Sequence, residues 1–163
     1  MSRIKLIAAL ALASALAAPV ANAQLAGHKD LTTAIALTMA QTAHDMCTAQ
    51  GYNVSVHVLG RDGEVLVAMR GDGANPHTME NSMRKAYTAR MQRRPSGAFA
   101  EAVKKNPVSA ALHLDKIIPA QGALPIKVGD DTIGAIGVSG SPGGEKDEAC
   151  AKAGIDKVAA ELK

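Results

Sequence analysis

The side chains of this sequence that can do chemistry are mainly its five histidines, and one of them stands in a distinctive local sequence. His77 follows a segment in which Gly71 and Gly73 permit backbone conformations with positive φ. Asn75 followed by Pro76 is a typical beginning of a helix. The pattern predicts that the imidazole of His77 lies on the first helical turn, beside a loop whose backbone a flat ligand can approach. The alternative is an ordinary surface histidine in the capping region.

The other four histidines are weaker candidates for a ligand-binding residue. No two histidines have the HxxxH spacing and there is no CxxCH, which disfavours a dedicated zinc site and excludes covalent c-type haem attachment. His113, on a short helical turn, is the second candidate ligand. His57 alternates with valines in a strand pattern and is expected on the opposite face of the sheet, as an ordinary strand histidine. His28 is too near the start to be well fixed, and His44 lies off the main apolar stripe of its helix.

The helix that begins near His77 also carries cationic and phenolic side chains. Arg84 lies seven residues after His77, on the same helical face and about 10 Å along the axis, and Lys85 is adjacent. A carboxylate can be held between His77 and these cations. A solvated basic helix end, or an ion pair between subunits, explains the same residues. Tyr87 can supply a phenolic ligand or a hydrogen bond, and the alternative is a half-buried packing role.

A second glycine-rich turn, at 139–144, precedes the last predicted helix. A turn of this kind at a helix N-terminus can cradle an anion. Glu145, Asp147 and Glu148 follow at once and would repel one. We therefore interpret this segment as mainly structural.

Cys47 and Cys150 are the only cysteines, and each lies on a predicted helix. An even number of cysteines in an oxidising compartment favours a disulfide, which would join these two helices and close a loop of about 100 residues. Two buried free thiols are the alternative.

The N-terminal segment predicts export. Residues 1–23 combine a basic start (Arg3, Lys5), an apolar run and the small-x-small sequence that ends at Ala23. These features are typical of a secretory signal peptide cleaved after Ala23, and the run is short for a membrane span of about 20 residues. We expect a periplasmic or secreted protein with one domain at 24–163 and no integral membrane segment in the mature chain.

Composition argues against a nucleic-acid partner. Removal of Arg3 and Lys5 lowers the formal charge from +3 to +1, so the basicity is partly a targeting feature. One Phe, two Tyr and no Trp leave few rings for base stacking.

Periodicity and turn signals define the order of elements. Consecutive strands joined by tight turns indicate an antiparallel sheet, and the helices at both ends and in the middle indicate an α+β fold. Helices are predicted at 31–50 (capped by Asp30), 76–91, 96–105 and 145–162, with strands at 53–59, 65–69, 124–128 and 132–139.

Several separated motifs resemble one family, the GlcG/HbpS family of haem-binding-type proteins. They are GDGANPHT at 71–78, RKAYTA at 84–89, LPI at 124–126, IGAIGVSG at 133–140 and PGGEKDEACA at 142–151. The resemblance covers essentially all of 31–162. It implies a profilin-like fold with an antiparallel sheet of about five strands in α/β/α layers, a tendency to form homo-oligomers and, for some members, haem or iron binding.

The resemblance directs the functional expectation towards non-covalent haem binding, handling or sensing, by a binding protein rather than an enzyme. Haem needs one axial ligand, and His77 is the first candidate and His113 the second. An enzyme or binder acting on a small organic acid, and a ligand-free oligomeric interaction module, are the alternatives. A small-molecule ligand and an unknown sensor or transport partner are the expected partners. The expected cofactor-binding residues are Gly73, Asn75, His77, Arg84, Lys85 and Tyr87.

Overall fold

The computed structural model of this chain describes residues 26–163. The predicted signal peptide at 1–23, and the cleavage point after Ala23, lie outside the described residues.

The first half of the fold is a helix followed by a β-hairpin. Helix α1 spans Thr33–Thr48, and strands β1 (Ser55–Leu59) and β2 (Val65–Arg70) pair antiparallel across the predicted Asp-Gly turn. Thr32, and not the predicted Asp30, caps α1 by accepting a hydrogen bond from the Ile35 N–H at 3.3 Å. The Asp30 carboxylate instead accepts a hydrogen bond from Arg61 at 3.0 Å, so it is engaged with the hairpin turn.

The second half contains the remaining helices and strands. Helix α2 was predicted to begin at Pro76; in the structure Pro76 is the N-cap, the first helical residue is His77, and a left-handed Arg93 follows the last helical residue. Among residues 26–163, no helix combines the length and hydrophobicity that a bilayer span needs. The elements in chain order are α2 (His77–Gln92), α3 (Ser96–Lys105), a 3-10 helix (Ala110–His113), β3 (Ala123–Val128), β4 (Asp131–Ser139) and α4 (Gly144–Lys157).

All strands form one antiparallel sheet in the order β2-β1-β4-β3. The α+β class and the antiparallel sheet are confirmed, but the described chain has four strands where the family resemblance implied about five. Only four stretches of the sequence carry a strand pattern. The stretch at 106–122, which contains Pro107 and Pro119, forms turns and the 3-10 helix instead because proline cannot donate to a ladder.

Helices cover both faces of the sheet, which confirms the α/β/α layering. Helices α1 and α4 pack on the face that carries Val56 and Val58, where the larger apolar core lies. Helix α2 packs on the other face against a smaller core built largely of alanine. Gly137 of β4 permits this close approach, since a Cβ there would lie 2.8 Å from the backbone N of Ala86.

A disulfide joins the two helices on the valine face. Cys47 of α1 and Cys150 of α4 are bonded, with their Cα atoms 5.7 Å apart, and both side chains are fully buried. The predicted pairing is confirmed. Because the two residues are separated by 103 positions, the bond links the beginning of the fold to its end.

Candidate functional site

A cavity of about 540 Å³ lies between the beginning of α2 and the loop that connects β4 to α4. Its wall is formed largely by the beginning of α2, where His77 lies, and by the segment 139–144, which we interpreted from the sequence as mainly structural. Its walls are polar apart from glycines, Ala120 and Pro142. The lining residues are Asn75, His77, Thr78, Asn81, Lys85, Ala120, Gln121, Ser139, Gly140, Ser141, Pro142, Gly143, Gly144 and Asp147.

His77 presents an exposed imidazole to this cavity from the first turn of α2. Its ring makes no hydrogen bond or ion pair with any residue of the described chain, so both ring nitrogens are accessible to a ligand. Asn75 also lines the cavity, and its carbonyl accepts hydrogen bonds from the Thr78 N–H at 3.0 Å and the Thr78 hydroxyl at 2.6 Å. Gly73 lies outside the cavity wall and has a φ of +72°, so it shapes the turn that leads to His77.

Lys85 and Asp147 form a buried ion pair in the wall of the cavity. The Lys85 Nζ lies 2.8 Å from Asp147 Oδ2 and donates also to the Val138 carbonyl at 3.2 Å. The other carboxylate oxygen of Asp147 accepts from the Ser141 N–H at 3.1 Å and from the Ser141 hydroxyl at 2.6 Å. Both oxygens of Asp147 are thereby engaged, and these contacts hold the loop that connects β4 to α4 against α2.

Arg84 and Tyr87, which the sequence grouped with His77, do not line the cavity. Arg84 donates to the Ile117 carbonyl at 3.1 Å and pairs with Glu80, so its guanidinium lies on the flank of α2 that meets the 110s segment. Tyr87 is half-buried beside Gly63, and the Lys116 ammonium lies 5.3 Å from its ring centroid. The cation that shares the cavity with His77 is Lys85.

His113, the second candidate ligand, is exposed on the 3-10 helix and is not part of the cavity wall. Within the described range, no group of three or more His, Cys, Asp or Glu side chains is placed to hold a metal ion. Any metal centre at His77 would therefore have to bring its other ligands with it, as a metalloporphyrin does.

Two long helices begin at the cavity without a side-chain cap. Neither α2, which starts after Pro76, nor α4, which starts after Gly143, has a capping side-chain hydrogen bond. The unpaired N–H groups of a helix N-terminus carry partial positive charge. The geometry therefore favours negative charge in this cavity.

The sequence points to His77, Asn75 and Lys85, and it also offers the opposite wall at 139–144 as an anion cradle, which we interpreted as mainly structural. Asn81 could have been found, since it lies four residues from both His77 and Lys85 on one helical face. Gln121, Ser139 and the Lys85 partner Asp147 reach the site through the packing of distant segments. No local pattern in the sequence marks Gln121 or shows that Asp147 pairs with Lys85.

A buried histidine, His57, lies deeper in the fold on the α2 face of the sheet. His57 is 5% exposed, and its Nδ1 lies 2.8 Å from the Ser82 hydroxyl of α2. It lies on the face opposite the valines, as its position in β1 predicts. Burial lowers the pKa of His57 to about 4, so its ring is neutral at physiological pH.

Charged groups also fasten the segment before α1. Arg61 donates to Asp30 at 3.0 Å and to Asp131 at 2.8 and 3.0 Å. These hydrogen bonds raise the pKa of Arg61 and lower that of Asp131. The cluster lies away from the His77 cavity and serves to connect the hairpin turn, the 26–32 segment and the β3–β4 turn.

The fold and site together define an α/β/α domain with a single antiparallel sheet and a polar cavity where two helices begin. The chain belongs to the HbpS-like family, because the model of that family, described as haem degrading protein HbpS-like, matches residues 31–156.

Known proteins of this fold include both curated and crystallised relatives. An uncharacterised 15.0 kDa protein encoded between dhaT and dhaS in Citrobacter freundii is 30% identical over 129 residues, covering 77% of this chain and 90% of that protein. A double mutant of HbpS from Streptomyces reticuli is 33% identical with a TM-score of 0.79, covering 87% of this chain and 97% of that one. A PduOC–haem complex has a TM-score of 0.71 at 21% identity, covering 77% and 93% respectively, a likeness of fold alone.

Proposed function

We propose that this protein is an exported, non-covalent haem-binding protein in which His77 is the axial ligand. The observation that carries the proposal is the exposed imidazole of His77, free of partners in the described chain, on the wall of the cavity. Membership of a family described as haem degrading supports the choice of ligand. Haem handling or sensing follows as the role of such a binder.

His77 provides the donor group that haem iron needs, whereas the cavity walls suit only part of the haem molecule. When bound, haem would supply an iron whose axial position an imidazole can fill. His77 offers that imidazole from a helix end held by the Asn75 turn. The cavity walls are polar, with Ala120 and Pro142 as the apolar residues besides glycine, so they suit the polar edge of a porphyrin better than its ring.

Other features support the wider proposal. The signal-peptide pattern of the sequence and the Cys47–Cys150 disulfide are consistent with export to the periplasm or beyond. The PduOC–haem complex supports haem binding as a use of this fold. The family resemblance favours a homo-oligomer that passes haem or a signal to a sensor or transport partner. Light scattering on the secreted protein would test the assembly.

Titration of haemin into the chain from Gln24 onwards tests the ligand. We expect a sharp Soret shift at micromolar haemin, and at least about tenfold weaker binding in His77→Ala. His113→Ala is the matched control, an exposed histidine outside the cavity, and should bind as the wild type does. No spectral change at micromolar haemin would refute the proposal, and equal effects of both substitutions would refute the assignment to His77.

A second candidate function is supported by the polarity of the cavity. Its amide, hydroxyl and ammonium groups, provided by Asn81, Ser139 and Lys85 among others, are suited to a small organic acid. Thermal shift measurements against a panel of small carboxylates test this function. A uniform absence of stabilisation would count against it.

A further inference from the structure

We propose that the buried wall of this cavity is a carboxylate-binding site, formed by the Ser139 hydroxyl, the Lys85 ammonium and the beginnings of α2 and α4. The inference deepens the proposed function, because it rests on the same cavity and names the chemical group that occupies its inner side. That group is a carboxylate, which either a haem propionate or a free small acid would provide.

Ser139 is the first observation. It is the last residue of β4, lines the cavity and is 5% exposed. Its hydroxyl makes no hydrogen bond to any residue between 26 and 163. The neighbouring Ser55, directly opposite on β1, is also buried, yet its hydroxyl lies 2.7 Å from the Thr78 hydroxyl. A hydroxyl on a largely buried residue that lacks a protein partner and opens onto a cavity is a donor available to a ligand.

Lys85 supplies the positive charge. Its side chain is 8% exposed, and two of its three N–H donors are used by Asp147 and the Val138 carbonyl. The third donor is left for a group in the cavity. Gly122 is required beside it, because its φ is +133° and a Cβ there would lie 2.9 Å from the Val138 carbonyl oxygen that accepts from Lys85.

The two helix N-termini add donors from the backbone. Gly144, at the beginning of α4, and His77, at the beginning of α2, line the cavity, and neither backbone N–H has a partner in the described chain, whereas the Thr78 N–H is used by the Asn75 carbonyl. The helices have 16 and 14 residues, so each carries a developed dipole whose positive end faces this space. An anion is therefore stabilised from two directions at once.

The acidic residues nearby do not cancel this attraction. Both oxygens of Asp147 are occupied by Lys85 and Ser141, so that carboxylate fixes the ammonium in place and is not open to the cavity. Glu145 lies beside Gly143 but is exposed, and solvent screens its charge. The donors that remain open to the cavity are the Ser139 hydroxyl, one N–H of Lys85 and backbone N–H groups, and a carboxylate can accept from several of them.

The site is tested with two porphyrins that differ only in whether their propionates are free or esterified, and with two free acids. The chain from Gln24 onwards is titrated with haemin and with haemin dimethyl ester in the same detergent buffer, and its amide resonances are followed during titration with acetate and lactate. Because a hydrogen bond to a charged group is a strong one, we expect haemin to bind at least about tenfold tighter than its ester. In Ser139→Ala the difference should shrink to about threefold or less, while the control Ser55→Ala should retain it.

The outcomes separate this inference from haem binding itself. If neither porphyrin binds but acetate or lactate shifts the Ser139 and Gly144 amides, and Ser139→Ala abolishes the shift, the site stands with a free acid as its ligand and the haem proposal fails. If haemin and its ester bind equally and neither acid shifts those amides, haem binding stands and the carboxylate site is refuted. If nothing binds, both are refuted.

A surface substitution provides an independent measurement should Ser139→Ala fail to fold. Glu145→Gln removes an exposed negative charge beside Gly143 of the cavity wall without altering the core. It should tighten carboxylate binding by about twofold to threefold at low ionic strength, with the gain lost in high salt. Unchanged or weaker binding would contradict a carboxylate at the beginning of α4.

Discussion

The Lys85 ammonium of α2 lies 2.8 Å from the Asp147 carboxylate of α4, and this ion pair connects the helical layers on opposite faces of the sheet. The two side chains are 8% and 3% exposed. The contact passes beyond the end of β4, where the Val138 carbonyl accepts from the same ammonium. This one buried ion pair thus forms part of the cavity wall and connects α2 to α4 across the end of the sheet.

Removing one charge of this pair should destabilise the fold strongly. Asp147→Asn keeps the shape of the side chain but leaves the Lys85 ammonium buried without a counter-charge. We expect a loss of about 3 kcal/mol in the free energy of unfolding, measured by urea denaturation at neutral pH. The matched control is Asp156→Asn, which breaks the exposed Lys152–Asp156 pair of the same helix and should cost less than about 1 kcal/mol. Similar losses in both variants would contradict a buried pair.

Local pattern was sufficient for most of the fold. The alternation of Val54, Val56 and Val58, the Asp-Gly turn and the Asn-Pro helix start are all determined by neighbours in sequence, and the corresponding elements form. The sequence predicts Asp30 as the cap of α1 because Asp is a good capping type, whereas Thr32, another capping type, holds that position in the structure. Tertiary contact decided between them, since Arg61 engages the Asp30 carboxylate.

The candidate site was less predictable, because helical periodicity alone does not orient a helix against its sheet. Seven residues bring Arg84 back to the side of His77, yet α2 is turned so that Lys85 faces the cavity and Arg84 faces the 110s segment. The acidic start of α4 argued against an anion site at 139–144. Asp147 is not a free charge, however, because it is paired with Lys85.

Loss of the disulfide should weaken the whole domain. The bond between Cys47 and Cys150 restricts a loop of 103 residues in the unfolded chain, for which the chain-entropy model gives up to about 4–5 kcal/mol. The variant with both cysteines changed to alanine should unfold with about 2–5 kcal/mol less free energy than the oxidised wild type. Denaturation with and without dithiothreitol provides the comparison. The reductant should destabilise the wild type and leave the variant unchanged, and any effect of reductant on the variant would invalidate the attribution.

Close packing of α2 on the sheet gives a third prediction. A Cβ at Gly137 would overlap the Ser82 carbonyl and lie 2.8 Å from the Ala86 backbone N, and backbone atoms cannot move aside as a flexible side chain can. Gly137→Ala should therefore cost about 1–3 kcal/mol in thermal or urea unfolding. Gly27→Ala is the control, because no atom lies within 4 Å of a Cβ there. A wild-type stability for Gly137→Ala would show that α2 does not contact β4 so closely.

Burial of His57 predicts how stability depends on pH. The ring is neutral in the fold, with a pKa lowered by burial to about 4, while the unfolded chain titrates near 6.5. Between these values the unfolded state binds more protons, so the free energy of unfolding falls as the pH is lowered from about 6.5 to 4. Below about 4 the folded state takes up the proton as well, and this contribution levels off.

Replacing His57 with Asn should remove that dependence. The side-chain amide of Asn keeps a polar contact to the Ser82 hydroxyl but does not titrate. The free energy of unfolding of the variant, relative to that of the wild type, should therefore rise by about 3 kcal/mol as the pH is lowered from 7 to 4. Urea denaturation at half-unit pH steps measures it, and His113→Ala, which removes an exposed histidine, should follow the wild-type curve. Parallel curves for wild type and His57→Asn would show that the imidazole is solvated in the fold, because only a buried neutral ring resists protonation in this range.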